Sequence, residues 1–418
     1  MKTGSSGVTR LTRWGVVIGM AGVAAACGSS NTPSSSGGGG NATVPSGLSV
    51  KSFDSSFSVM SQFTNLTSAG KGLVGVILPD TTSSTRYVDF DAPYLTQAFQ
   101  KAGYTSSQFK IDNAQGSDAT ELADAQADIT LGASVIVFDP LNSTVGQAIQ
   151  QLAQSHGVAA ISYDRATFQG TNTYYVSFDN MQVGKLIGQG FLDCLTKFNV
   201  TSPQVFTLDG GEDVDPNAVS FAQGYNSVVW GDTTTPEPAG KTSSTGAKLV
   251  GDQITPAWVN ATGGTIFQQQ FTAHPTINAT IEANDGLANA VITDLKNAGV
   301  GPKKIPTTGQ DATLQGMENV LQGFQCGSVY KAVYLEAQDA VALATILRAG
   351  QTPPSALVNS TTKPASGPGS SEPASLLTPV WVDSSNMAST VIKDKFVSAT
   401  ALCTAVGASV CSAAGITP

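Results

Sequence analysis

The stretch LVGVILPDTTSSTRYVDFDAPYLTQAFQKAG, residues 73–103, decides how the chain is read. Leu73-Val74-Gly75-Val76-Ile77-Leu78 is a continuous apolar run, the pattern of a strand buried on both faces of a parallel sheet. After a polar loop, Tyr94, Leu95, Ala98, Phe99 and Ala102 recur at helical spacing. Asp91 is placed to cap that helix, Pro93 is tolerated in its first turn, and Gly103 ends it. Strand, loop and helix form a βα unit, and the unit repeats. Strands are expected over Phe109–Asp112, Val135–Phe138 and Val158–Tyr163, alternating with helices Asp118–Leu131 and Ser143–Ser155. After a further strand, Tyr174–Asp179, the alternation restarts with helix Val183–Phe198, strand Val205–Leu208 and helix Asn217–Val229. It continues through strand Leu249–Gly251, helix Val259–Gln270, strand Ile277–Ile281 and helix Gly286–Ala298. Strand Ile305–Thr308, helix Leu314–Leu321, strand Gly327–Tyr330 and helix Glu336–Arg348 complete it. Such alternation predicts an α/β fold with helices on both faces of a parallel sheet. Two runs of this length exceed one core, so two doubly wound lobes are expected. Gly231–Gly246 and Thr352–Ser375, rich in Thr, Pro, Gly and Ser, read as surface loops.

In an open parallel sheet the strand C-termini share one edge, and ligands bind in the crevice there. Polar motifs sit at that point of unit after unit. They are Arg86-Tyr87, Asp164-Arg165, Asp215-Pro216-Asn217, Trp258, Asn284-Asp285, Gly309-Gln310-Asp311 and Tyr330-Lys331. Arginine presents a planar fork of donors, carboxylates accept from neighbouring hydroxyls, and Asn does both. Pro216 stiffens its loop. A tryptophan packs on the C–H face of a sugar ring. The set suits a small polyhydroxylated ligand. Each residue has a plainer use: Arg86 as a solvated surface charge, Tyr87 and Trp258 as packing, Asp164-Arg165 as a surface ion pair, Asp215 or Asn217 as helix caps.

The N-terminus reads as an export signal. Lys2, Arg10 and Arg13 precede the apolar run Trp14 to Ala26, and no acidic residue occurs before Asp54. The run is too short for a span, which needs about 20 apolar residues. The segment 1–26 is therefore expected to be a signal peptide, with residues 27–70 a lipidated Cys and flexible tether. Gly28 to Gly47 is nearly all Gly, Ser, Asn, Thr and Pro, with a reach of about 25 Å. The formal charge is −9 over the whole chain, and loss of three basic residues with the signal makes the remainder more acidic. Nucleic acid is thereby disfavoured as a partner. Cys194, Cys326, Cys403 and Cys411 remain after Cys27 and allow two disulfides in three pairings. Cys403 with Cys411 is favoured because both lie in one short tail, and Cys194 and Cys326 then pair or stay free. With only His156 and His274, histidine-based metal or acid–base chemistry is disfavoured, and no metal or cofactor is expected. Gly240-Lys241-Thr242 lacks the upstream glycine of a phosphate loop. Asp164, Asp215 and Asp311 are the candidates for a glycoside hydrolase carboxylate pair.

In their joint order these motifs resemble the type I periplasmic sugar-binding proteins that feed ABC importers, nearest to the xylose-binding branch. The resemblance covers about Leu73 to Val397. It rests on Ser162-Tyr163-Asp164-Arg165, Tyr175-Val176-Ser177-Phe178-Asp179-Asn180, Gly309-Gln310-Asp311-Ala312 and Val329-Tyr330-Lys331. It also rests on Leu376-Leu377-Thr378-Pro379 and Ser389-Thr390-Val391-Ile392-Lys393-Asp394. Cys27 after Val23-Ala24-Ala25-Ala26 likewise resembles a bacterial lipobox, which implies lipidation of Cys27 and anchoring at the outer face of the membrane. The family implies two lobes joined by three crossovers near Ser177–Asn180, Lys331–Tyr334 and Leu377–Val380. One lobe would be residues 71–178 plus 332–378, the other 179–331 plus 379–418. Ligand contacts carried over are Arg86, Tyr87, Asp164, Arg165, Asp215, Asn217, Asn284, Asp311 and Lys331, to which the residue chemistry adds Trp258. The implied function is non-enzymatic capture, by a monomer, of a monosaccharide for an ABC permease, D-xylose first. Ribose, galactose or glucose, a sensory role, and a secreted glycoside hydrolase are the alternatives.

Overall fold

The computed structural model describes residues 42–418 except 82–83, 85, 169–172 and 364–369. The signal segment and Cys27 lie outside the described residues.

The apolar runs form strands where expected. β1 (Leu73–Leu78), β2 (Phe109–Asn113), β3 (Ala133–Phe138), β4 (Ala159–Tyr163) and β5 (Thr173–Phe178) belong to one sheet. β6 (Gln204–Asp209), β7 (Lys248–Ile254) and β8 (Ala279–Glu282) form a second. β9 (Ser328–Tyr330) follows, then β10 (Ser360–Thr362), β11 (Glu372–Leu377) and β12 (Val380–Val382). The larger sheet has the order β10-β11-β5-β4-β3-β1-β2, parallel except for the edge strand β10. The smaller has the order β7-β6-β8, all parallel. β9 and β12 make an antiparallel ribbon beside it. Val74, Val76 and Leu78 point to one apolar layer and Ile77 to the other, as a strand buried on both faces requires. The second sheet has its own core around Phe206, Leu208, Phe221, Phe267 and Ile281.

Four sequence readings need correction. Residues 27–70 are not tether throughout. Leu48, Phe53, Phe57, Met60, Phe63 and Leu66 are buried, and two short helices, Ser58–Phe63 and Thr64–Ala69, pack on the larger sheet's helices. The apolar residues return within this stretch at Leu48, so a tether reading cannot extend past it. Secondly, Thr352–Ser375 is not all loop. Its end enters β11, which pairs in parallel with β5 through Ala374–Tyr175 and Ser375–Val176. Ser375 is fully buried there because its hydroxyl donates to Asp339 and to the Leu357 carbonyl. Thirdly, Ile305–Thr308 lies beside β8 without completing a ladder. Pro306 has no N–H to give, and the Thr308 N–H donates to the Glu282 carboxylate instead. The Thr308 hydroxyl in turn takes the Glu282 N–H. Finally, Asp91 does not cap its helix; its carboxylate is taken by Arg86 and Tyr163.

Disulfides join Cys194 to Cys326 and Cys403 to Cys411. The first ties helix Asn180–Lys197 to the entry of β9. Among the described residues no helix is long and apolar enough to cross a membrane.

Candidate functional site

The strand ends of both sheets converge on one cavity. Its lining includes all ten candidate residues together with Ser84, Phe221 and Gln310. The space among them, open solvent included, is about 330 Å³. Nine of the ten candidates are at least 95% buried, and Asp311 keeps a little exposure. Such burial contradicts the plain readings of Arg86 as a solvated charge and of Asp164-Arg165 as a surface ion pair.

On the side of the larger sheet, Arg86 commits four of its five N–H groups. Nε and Nη2 donate to the two oxygens of Asp91, Nη2 also to Glu336, and Nη1 to Asp164, all at 2.8–2.9 Å. Arg86 therefore acts chiefly as a clamp on Asp164, with one N–H left over. Arg165 is freer. Its Nη2 donates to the Tyr87 hydroxyl at 3.2 Å, and Nη1 makes long bonds to the Pro140 and Leu141 carbonyls. Its Nε is buried without a hydrogen-bond partner, though it lies 3.5 Å from Asp215 and 3.8 Å from Asp139. The Tyr87 ring lies within cation–π range of both guanidinium groups.

On the side of the smaller sheet, Asp215 caps helix Pro216–Val229 through the Asn217 N–H and also accepts from the Trp258 indole. Capping and site roles thus coincide in one residue. Asn217 reaches across to donate to the Asp164 carbonyl at 2.7 Å, beside Tyr175. Asn284 caps helix Asp285–Asn297. Trp258 ends a single turn, Pro256–Trp258, against Gly210 and Gly211, where any Cβ would collide with the indole. Lys331, following β9, sits 3.6 Å from Asp164 and 3.4 Å from Asp311, and so bridges carboxylates from both sides.

Three of these residues pay for their placement in backbone strain: Asp164, Trp258 and Asp311 have φ of 58°, 60° and 89°. Left-handed φ is uncommon outside glycine and clusters at binding sites. Their neighbours hold them there. The Asp164 carbonyl takes bonds from Tyr175 and Asn217, and the Asp311 N–H donates to the Val329 carbonyl.

Charge in the cavity is balanced. Burial works to raise the Asp164 pKa, but Arg86, Lys331 and Arg165 outweigh it and hold it at about 2. Burial pushes Asp215 up against the pull of Arg165, and pushes Asp139 well up. Burial also takes Glu336 up to about 8, with Arg86 opposing. The Gln310 and Asp311 side chains each keep one buried oxygen without a hydrogen-bond donor. Arg165 Nε and Asp311 Oδ1, held only by long ion pairs, and the unbonded Gln310 Oε1 line one small cavity, which suits a ligand rich in hydroxyls. Asp164, held ionised by Arg86, Lys331 and Arg165, is no proton donor near neutrality, so it is not the general acid of a hydrolytic pair. Among the described residues no acidic, His or Cys group could hold a metal.

Sequence reading missed several residues. Gln310 lies inside a motif already singled out, beside Asp311. Phe221 sits one helical turn after Asn217 and faces the same cavity, a relation that i, i+4 spacing reveals. Asp139 follows β3 at the strand-end position, so the rule used for the others applies to it. Glu336, on a buried helix, gave no signal.

Comparison with known proteins agrees with this architecture. Residues 74–352 match the model of the periplasmic binding protein domain family. The D-xylose-binding periplasmic protein of Escherichia coli is 30% identical over 299 residues, spanning 71% of this chain and 84% of that protein. A multiple sugar-binding periplasmic receptor of Rhizobium radiobacter is 30% identical over 326 residues, spanning 76% and 88%. Among solved structures, a carbohydrate transporter solute-binding protein from Chloroflexus aurantiacus, in complex with D-glucose, superposes with a TM-score of 0.66 at 26% identity. That superposition covers 79% of this chain and 98% of that one. With the family's domain across two-thirds of its length, the chain belongs to the periplasmic sugar-binding proteins of ABC transport, a non-enzymatic family with the type I binding-protein fold.

Proposed function

We propose that this protein captures a monosaccharide, D-xylose first, between two lobes and delivers it to an ABC permease. The lobes are residues 71–178 plus 332–378 and residues 179–331 plus 379–418. The observation that carries the reading is the convergence of strand-end residues from both sheets, far apart in sequence, on one small polar cavity. Arg165, Asp164 and Tyr87 supply one half of the contacts. Asp215, Asn217, Trp258, Asn284 and Asp311 supply the other, and Lys331 sits at the seam. Arg86 holds Asp164 in place and has one N–H for the ligand. Trp258 offers its ring face to the sugar's C–H groups. The sugar shifts the equilibrium toward closure only by contacts it makes to both halves at once.

The 30% identity to a D-xylose-binding protein favours the pentose. The relative solved with D-glucose favours a hexose as the second reading. Calorimetric titration with xylose, ribose, galactose, glucose and arabinose separates them. One sugar binding at 1:1 stoichiometry is expected; no heat from any of the five overturns the proposal. The acylated Cys27 would hold the protein, as a monomer, at the outer face of the membrane. Cys27→Ala should then release it into the medium, and retention of that variant in the membrane fraction would count against the anchor.

A further inference from the structure

A second space adjoins the inner cavity. Ser84, Asn284 and Asp311 line both, so the two adjoin, and the outer one spans about 830 Å³, open solvent included. Its walls come from both sides: Asp89 and Phe90 precede the helix after β1, whereas Asn260, Asn289, Leu314 and Gln315 belong to helices around the smaller sheet.

The chemistry of these walls is specific. Asn260 Oδ1 is buried without a hydrogen-bond donor. Asn289 uses its carbonyl oxygen to accept from Asn319, which leaves its own amide N–H groups free. Asp89 and Gln315 are exposed to the cleft mouth. Phe90 and Leu314 contribute apolar surface: Phe90 is half-buried, with one face stacked on Phe396 at 4.1 Å, and Leu314 is exposed. Neutral amides, the carboxylates of Asp89 and Asp311 and an apolar patch repeat in looser form the character of the inner cavity. Hydroxyl groups need such donors and acceptors, and the C–H face of a pyranose needs the apolar patch. A solvent channel needs neither.

We infer that the outer space is a second sugar subsite, which takes a pyranose unit joined glycosidically to the unit in the inner cavity. The protein then binds short oligosaccharides or glycosides as well as the free monosaccharide. This rests on the sugar reading of the inner cavity. The inner unit supplies recognition through buried, charge-assisted bonds. The outer unit meets mainly neutral amides and the solvent-exposed Asp89 and Gln315, whose bonds add less.

The test is calorimetry on the whole mature protein with D-xylose, xylobiose, D-glucose and cellobiose. Wild type should bind the disaccharide of its preferred sugar at 1:1, with Kd within tenfold of the monosaccharide's. Gln315→Trp, which fills the outer space, should weaken the disaccharide at least tenfold and leave the monosaccharide within twofold. The double substitution Asp89→Ala with Gln315→Ala should act in the same sense, by threefold or more. Monosaccharide binding without disaccharide binding overturns the outer subsite and leaves the inner reading standing. Disaccharide binding that Gln315→Trp leaves unchanged also overturns it. If none of the four sugars binds, the inner reading falls and takes this inference with it.

Discussion

Asp164 shows how one residue concentrates the site's physics. Its carboxylate is buried, holds a pKa of about 2 against that burial, and takes bonds or ion pairs from Arg86 and Lys331. The sign of its pH dependence follows. A carboxylate whose folded pKa lies below its unfolded value, about 3.9, stabilises the fold above that value. That stabilisation is lost as pH falls from about 4 through 2. Asp164→Asn should therefore flatten the acid limb of a stability-versus-pH curve below pH 4; an unchanged limb would contradict the ion pairing. Trp258→Ala, which removes the ring and its seat on Gly210 and Gly211, should weaken sugar binding about tenfold or more by titration, since aromatic stacking contributes of order 1 kcal/mol beyond area. That the ten candidates line one cavity was legible in the sequence because strand ends gather at one edge, whatever their separation along the chain. What the sequence hid was partnership. Arg86 looked like a ligand contact, but three carboxylates occupy most of its donors, and two of them, Asp91 and Glu336, carried no signal of that duty.

At the scale of elements, the βα alternation was readable wherever a strand was apolar on both faces. It failed where side chains replaced backbone pairing, as at Pro306 and Thr308, and where a buried strand was built from Ser and Pro, as in β11. Residues 48–69 were hidden by their Gly/Ser-rich approach, although their phenylalanines mark them as core. Helices Asn180–Lys197 and Pro216–Val229 meet at Gly184 and Gly224, where a Cβ on Gly224 would lie 2.5 Å from the Met181 carbonyl. Gly224→Ala should cost about 1–3 kcal/mol or more in denaturant unfolding. Because helix Pro216–Val229 carries Asn217 and Phe221, it should lower sugar affinity as well. Cys194→Ala with Cys326→Ala opens a loop of 132 residues and should lose roughly 2–5 kcal/mol of stability. A midpoint unchanged from wild type would place the stabilisation elsewhere.

Across the whole molecule, buried carboxylates whose pKa is raised outnumber those held low. Burial takes Glu121, Glu282 and Glu336 to about 8 and Asp285 and Asp339 to about 7. The folded state then binds more protons than the unfolded chain between about pH 4 and 8, so stability falls as pH rises through that window. The melting temperature should be higher at pH 5 than at pH 8.5, and a rise over that interval would contradict the protonated interior. The same scale holds the central claim, that two half-sites from different sheets act as one. Calorimetric titration of the preferred sugar into wild type, Arg165→Ala and Asp311→Ala tests it most directly. Each substitution removes a charge-assisted contact from one half only, and each should weaken binding by about a hundredfold while the fold survives. Near-normal affinity in either variant, with the other half intact, would contradict a site shared between the lobes.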